Sequence, residues 1–338
     1  LSASLYKAMT LTQQHAITSV ENSLNSRIST LLDTRGCCVI RAPKRKASKK
    51  DLCFKRKEAE FWTAGIGDFL NQKNTFSWDS PQVGYYSNTF GVVTGFDYDI
   101  SGLLYLGGMG AYTSSEIEWR ENQGKGSISS GYAALYASTI QGMYYGNISV
   151  IGAWSTFKAH RHIVYPEVNE TASMKHPSKQ LMTSADTGFN IDVGGNFLVR
   201  PFDKCEYIVQ TERSFVEKGA GAYNLCVDSS TAQMLRNILG VNVAKCFTAP
   251  DSKWMIDLGL TWIYEARFQG KKYFSSFINT DVCFKTEGYL PSRSLFSPNF
   301  TLSTWLAEDS AALSIYYHGE FGNKYHNNAA GLEFGYRF

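Results

Sequence analysis

Proline is scarce in this sequence, and so is charge. Eight prolines are spread over 338 residues, and Asp, Glu, Lys and Arg together make up 19%, below the roughly 25% usual for a soluble domain. No run approaches the ~18 consecutive apolar residues of a membrane-spanning helix, and mean hydropathy is −0.23, so a helical membrane protein is excluded. Cysteine occurs in no useful spacing. Cys37, Cys38, Cys53, Cys205, Cys226, Cys246 and Cys283 form neither a metal signature nor a CxxC pair. An odd number cannot all pair, so they read as incidental thiols, or as one thiol free to cross-link to a partner in an oxidising envelope. An initiator Met is absent and nothing near Leu1 reads as a signal peptide, so a mature or truncated product is expected.

Aromatic residues and glycine are abundant. Twenty Tyr, 21 Phe, seven Trp and 29 Gly suit strands and turns better than helices. A transmembrane β-barrel is compatible with the low mean hydropathy, because each of its strands is apolar on one face only.

Charge is unevenly spread. The net charge is +3, yet residues 35–57 hold ten basic side chains against Asp51 alone, a local +9. The rest of the chain is therefore acidic, with the excess lying after Lys57.

Three regions follow from these patterns. In residues 1–34, Ile17, Val20, Leu24, Ile28 and Leu31 recur at spacings of three and four, which predicts an amphipathic helix ending near Gly36. Residues 35–59 form a basic linker containing Lys44, Arg45, Lys46, Lys49 and Lys50. From residue 60 to Phe338 the period changes to two. About twelve strands are expected, at 60–69, 85–98, 103–114, 127–140, 143–158, 182–200, 204–217, 234–247, 252–266, 297–307, 311–320 and 326–338.

The ninth, eleventh and twelfth of these are one-sided. Trp254, Ile256, Leu258, Leu260, Trp262 and Tyr264 share a face, opposite Asp257, Thr261 and Glu265. Leu313 and Ile315 oppose Ser314 and Glu320, and Leu332, Phe334, Tyr336 and Phe338 oppose Glu333. A two-sheet sandwich would also alternate, so the connections carry more weight. Short ones (Asp99–Gly102, Gln141–Gly142, Pro201–Asp203, Thr248–Asp251, Glu308–Ser310) alternate with long ones (70–84, 115–126, 159–181, 218–233, 267–296), although 321–325 is short where a long one is due. Short turns on one rim and long loops on the other mark an outer-membrane barrel. Phe61, Trp62, Tyr85, Tyr86, Tyr144, Tyr145, Tyr316 and Tyr317 near strand ends fit interfacial girdles. Closure in lipid satisfies every backbone group and leaves no edge.

From about residue 60 onward the chain resembles the autotransporter β-domain of type V secretion, closest to the polymorphic outer-membrane-protein branch. The resemblance is carried by Gly84–Tyr98, Gly131–Tyr136, His160–Ile163, Ser214–Gly221 followed by Asn224 and Leu225, Leu235–Gly240, and the terminal Phe338. It implies a twelve-stranded, monomeric barrel integral to the bacterial outer membrane, with a helix in its pore. It also implies a surface passenger, by analogy an adhesin, on the N-terminal side. Leu332, Phe334, Tyr336 and Phe338 match the family's signal for the barrel-assembly machinery. The sequence departs from the family in the basic segment between helix and first strand, and in having no Asn-Asn pair within residues 1–57. The pair Asn327–Asn328 lies in the last strand, so autocleavage is not supported.

Asp257, Glu265, Glu320 and Glu333 are expected to line the pore, because charge facing lipid at mid-membrane costs roughly 2–4 kcal/mol for a basic residue and less for an acid. The basic segment could thread or cap that acidic lumen, or remain a hydrated linker. Two other functions stay open. A barrel protease or lipase would need Ser, His and acid at one rim, and His160, His162, His176, His318 and His326 are available, but no G-x-S-x-G accompanies them. A passive porin-like barrel would lack both passenger and pore helix. No catalytic residue, cofactor, metal or nucleic-acid partner is expected.

Overall fold

The computed structural model describes residues 4–41, 59–74, 82–101, 103–248, 253–269, 272–280, 282–287, 293–306 and 310–338. One helix, α1 (Ser4–Arg41), precedes twelve antiparallel strands. They are β1 (Ala59–Gln72), β2 (Tyr85–Asp99), β3 (Leu104–Trp119), β4 (Gly124–Gln141), β5 (Tyr144–Tyr165) and β6 (Val168–Phe189). The second half comprises β7 (Phe197–Glu212), β8 (Ser230–Thr248), β9 (Lys253–Gln269), β10 (Ser294–Leu306), β11 (Ala311–Gly322) and β12 (Tyr325–Arg337). Each strand pairs with its sequence neighbours, and β1 pairs with β12 from Glu60↔Arg337 to Gln72↔Tyr325, closing the barrel.

Period-two patterning explains the closure. Along β9 the even positions Trp254, Leu258, Leu260, Trp262 and Tyr264 are exposed on the outside, and the odd positions Asp257, Thr261, Ile263 and Glu265 are buried inside. The outward face is apolar along the middle of the strands, with Leu135 73% and Ile148 61% exposed, as a lipid-facing wall must be. Of the aromatic residues expected in girdles, Tyr86 and Tyr144 point outward, whereas Trp62, Tyr85 and Tyr316 are buried in the lumen. Adjacent aromatics on a strand point to opposite faces, so part of each pair has to turn inward. Inside, Tyr316 lies over its cross-strand partner Gly331, where a Cβ would sit 2.3 Å from the ring.

Three expectations are corrected. The helix runs through Gly36 to Arg41 rather than stopping there; a mid-helix glycine costs only about 1 kcal/mol, and no proline precedes Pro43. The segments 115–126 and 159–181 are not long loops. β3 and β4 are joined through 120–123, and β5 and β6 through Pro166–Glu167. Beyond the lipid band the outward residues of these strands turn polar (Lys158, His160, His162, Asn169, Thr171), so the apolar alternation fades although the backbone ladder continues. Finally, Pro201–Asp203 is not a turn but part of β7. Pro201 stands where β6 gives way, at Gly188↔Phe202, to the short strand Ile191–Gly194. That is a ladder end, where a missing N–H is tolerated.

The loop rim carries 213–229 and the described parts of 73–84 and 270–293. Strands Phe215–Val216, Leu225–Val227, Lys272–Phe277 and Cys283–Glu287 from the last two form a separate four-stranded sheet. The opposite, terminal rim holds the start of β1 and the end of β12. Of the described cysteines, Cys205, Cys226 and Cys283 are free and Cys246 is disulfide-bonded.

Candidate functional site

The lumen is occupied by α1. From Leu5 to Leu31 nearly every residue is buried, on all sides of the helix. The helix is therefore not amphipathic in use: Gln13, Glu21, Ser23 and Arg27 are buried as deeply as Ile17, Val20 and Leu24. A polar helix can be enclosed because the inward faces of the strands supply partners for it.

At the loop rim Leu5, Ala8, Met9 and Leu11 pack with Trp119, Ile128, Phe157, Phe215 and Leu225 into an apolar seal. Tyr6 packs edge-on against Phe215 with centroids 5.0 Å apart, and its hydroxyl donates to Glu217. Arg161 of β5 holds the same Glu217 at 2.5 Å, while Glu217 accepts the Leu225 amide at 2.8 Å. The 213–229 segment is thereby folded over the helix.

Lower down, Thr10 donates to Glu212 at 2.7 Å and Ser130 donates to Gln13 at 2.9 Å. At mid-barrel Arg236 of β8 gathers Glu206 (3.3 Å), Glu265 (3.2 Å) and Glu320 (2.5 Å) from three other strands. It also donates to Thr18 of α1 at 3.1 Å. Glu21 of α1 accepts from Ser149 at 3.0 Å and Ser184 at 2.6 Å, and pairs with Lys204 at 3.3 Å.

Near the terminal rim Arg27 reaches Asp97 (2.7 Å), Glu333 (3.7 Å) and Glu60. It passes over Gly335, where a Cβ would lie 2.5 Å from the guanidinium and push it aside. Thr30 and Ser314 hydroxyls are 3.1 Å apart. Beside the helix a polar cavity of about 130 Å³ remains, bounded by Asn22, Asn25 and Ser29, the partly exposed stripe of α1, and by Asn147, Asn242 and Asn299 of the wall.

Asp257, Glu265, Glu320 and Glu333 all point into the lumen, and each has a cation: Asp257 has Arg200 at 3.2 Å, Glu265 has Arg236 and Arg267, Glu320 has Arg236, and Glu333 has Arg27. The lumen is thus a mixed network and not an acidic tube. Sequence reasoning missed Arg27, Glu60, Asp97, Lys204, Glu206 and Arg236. Strand parity was the available signal, since Lys204 and Glu206 alternate with outward Cys205 and Tyr207. Lys44, Arg45, Lys46, Lys49 and Lys50 lie outside the described residues. Leu332, Phe334, Tyr336 and Phe338 are on the lipid face, 44–65% exposed.

The histidines do not converge. His176 is buried, stacked on Phe215 and 3.4 Å from Glu212. His160 meets Ser173 at 2.9 Å on the outer surface, and among the described residues no carboxylate contacts its other ring nitrogen. Nor, among the described residues, does any cluster of His, Cys, Asp or Glu have metal-binding geometry.

Comparison with known proteins agrees with this geometry. The family model described as the autotransporter β-domain matches residues 61–318. Solved translocator structures superpose over most of the chain at low identity. For the translocator domain of NalP from Neisseria meningitidis the TM-score is 0.65 at 12% identity, covering 96% of this chain and 98% of that one. The β domain of the Bordetella autotransporter BrkA gives 0.61 at 14%, covering 83% and 100%. The transport unit of AIDA-I from Escherichia coli gives 0.57 at 10%, covering 93% and 98%. A comparison with curated proteins finds no significant match. With the family model covering most of the sequence and a closed twelve-stranded barrel around a single helix, the chain belongs to the autotransporter β-domain family, the integral outer-membrane barrels that secrete a passenger.

Proposed function

We propose that this barrel carries its passenger on the N-terminal side of α1 and that α1 is the stalk left in the pore after transit. The direction of α1 supports this reading above all. Its N-terminal end meets Glu217 at the loop rim, and its C-terminal part meets Glu60 at the start of β1. In barrels of this kind the loop rim is extracellular, so whatever precedes α1 is presented outside the cell. The lumenal acids, including Asp257, Glu265, Glu320 and Glu333, act with Arg27, Arg200 and Arg236 as the seat of the stalk. The expected division at 34 and 59 shifts accordingly: α1 serves as the stalk, the residues between Arg41 and Ala59 as a linker and 59–338 as the barrel.

The barrel works as a monomeric conduit and anchor, and no reaction is assigned to it. Leu332, Phe334, Tyr336 and Phe338 serve as the signal for the assembly machinery, since a strand with alternating apolar side chains suits edge-to-edge docking. A reporter fused ahead of Leu1 tests the reading. It should be cleavable by added protease on intact cells. A reporter that stays protected while the barrel is inserted would overturn it.

A further inference from the structure

The outward face of β5, β6 and the start of the 213–229 segment carries cations with no acidic partner among the described residues. Lys158 of β5 lies directly opposite Lys175 of β6. Like charges placed directly across a ladder are destabilising, so the pairing is costly unless an anion sits over it. Lys179 is opposite Trp154, two residues further along each strand toward the lipid than the pair Thr156↔Pro177. The Arg213 amide bonds the Pro177 carbonyl, which puts Arg213 alongside. His160 faces Ser173, and Ser173 bridges to Lys218.

All six side chains are exposed, and among the described residues none of the six takes part in an ion pair. On the neighbouring strands the pattern differs: Lys125 of β4 has Glu118 of β3 at 3.2 Å.

The height of this patch on the barrel is equally informative. The lipid-facing row of β5 runs Ile148, Val150, Gly152 and Trp154, with Trp154 57% exposed, and ends there. A tryptophan at the end of an apolar row marks the interface. The cations begin beside it and continue to Lys218, which bridges Ser173 at the level of His160, six residues on. At ~3.3 Å per residue and a tilt near 40°, that is a band roughly 15 Å tall. It lies on the rim that the family assignment makes extracellular, at headgroup depth, where long basic side chains reach out of the hydrocarbon.

We infer that Lys158, Lys175, Lys179 and Arg213, flanked by His160 and Lys218, form a docking surface on the barrel wall for a phosphomonoester-bearing glycolipid headgroup of the outer leaflet. Doubly charged phosphates match closely spaced ammonium and guanidinium groups, and the acyl chains continue over Trp154, Leu181 and Ile148 below. The inference rests on the outer-membrane orientation. Its test needs no passenger, so its failure is separable from failure of the secretion reading.

The full chain, folded in detergent micelles, is titrated with bis-phosphorylated lipid A, with the same lipid enzymatically dephosphorylated, and with phosphatidylglycerol, in low and high salt. Binding is read by native mass spectrometry, and heat-modifiable migration reports folding. The unaltered protein should prefer the phosphorylated glycolipid by at least about tenfold at low salt and lose most of that preference at high salt, because salt screens exposed charges. The variant carrying Lys158→Gln, Lys175→Gln, Lys179→Gln and Arg213→Gln should lose the preference. Lys245→Gln, an outward cation beside Phe197 and Phe247 near the other rim, should keep it. If the fourfold variant does not fold, Lys158→Gln with Lys175→Gln should reduce the preference by part. Equal binding of phosphorylated and dephosphorylated lipid, equal binding of phosphatidylglycerol, or an unaltered preference in the folded variants would each overturn the inference.

Discussion

Arg27 of α1 and Asp97 of β2 lie seventy residues apart in sequence and 2.7 Å apart in the barrel, both fully enclosed. This contact ties the lower end of the stalk to the wall, with Glu60 and Glu333 on the other sides of the guanidinium. Removing one member of a buried ion cluster leaves the others uncompensated, at a cost of about 3–5 kcal/mol in a dry interior and less where water enters. Arg27→Ala should therefore loosen the plug without unfolding the barrel. In planar bilayers it should show larger or more frequent openings than the unaltered protein, with heat-modifiable migration preserved. Identical conductance traces would show that Arg27 does not hold the helix.

Arg236 has a different task, because three of its four partners are wall residues. Arg236→Met should leave Glu320 without its guanidinium, while Glu206 keeps Lys204 at 2.7 Å and Glu265 keeps Arg267 at 2.5 Å. The expected result is a lower unfolding temperature on heating in detergent, by several degrees. Adding Glu320→Gln should restore part of the loss, since the group left unpaired is then neutral. An Arg236→Met barrel as heat-resistant as the parent would mean the network contributes little.

These two clusters also show what the sequence could and could not disclose. Strand parity in β9, β11 and β12 is enough to assign Asp257, Glu265, Glu320 and Glu333 to the face away from lipid, where all four are buried. Parity says which face a residue occupies but not which distant strand it meets, so the bond from Arg236 to Glu320, 84 residues away, was beyond its reach. Strand ends were misjudged for a related reason. Apolar alternation is imposed by lipid, and it stops at the membrane surface while β5 and β6 continue as paired backbone to Tyr165 and Val168. The helix was visible from Ile17, Val20, Leu24, Ile28 and Leu31, yet its surroundings were not, because an apolar stripe cannot reveal that the polar faces are enclosed as well.

The corrected hairpin changes where the surface should be probed. The tip between β5 and β6 is Pro166–Glu167, both exposed, while Gly142–Met143 joins β4 and β5 at the other rim. Tight exposed tips tolerate insertion. An epitope inserted after Glu167 should bind antibody on intact cells, and one after Gly142 should bind only after permeabilisation. Reversed accessibility would contradict the orientation.

Phe338 sits at the seam of the barrel. Its amide bonds the Ala59 carbonyl at 3.1 Å, and its ring is 6.0 Å from Phe96 and 6.4 Å from Tyr336 between centroids. Deleting Phe338 should lower the amount of heat-modifiable barrel recovered from outer membranes. Phe338→Leu separates two causes. It keeps apolar contact with lipid and removes the ring, so if lipid contact alone matters it should assemble normally. If the terminal aromatic is recognised during assembly, Phe338→Leu should accumulate less folded barrel, while protein already folded in detergent melts close to the parent.

The basic segment gives the last test. Lys44, Arg45, Lys46, Lys49 and Lys50 would have to compete for the lumen with cations already there, because four lumenal acids near the terminal rim are paired. Glu60, Asp97 and Glu333 surround Arg27, and Asp257 has Arg200. Moreover α1, at 1.5 Å per residue, continues about 20 Å beyond Arg27 before ending at Arg41, while β1 begins at Ala59 on the terminal rim. Arg41 and Ala59 thus both lie toward the terminal rim. Exposed ion pairs contribute only about 0–1 kcal/mol, too little to displace the buried partners already in place. Changing all five cations to Gln should leave single-channel conductance unaltered at both low and high salt, in contrast to Arg27→Ala. An increase at low salt that vanishes at high salt would place the segment in the pore instead, and would make it, together with α1, part of the plug.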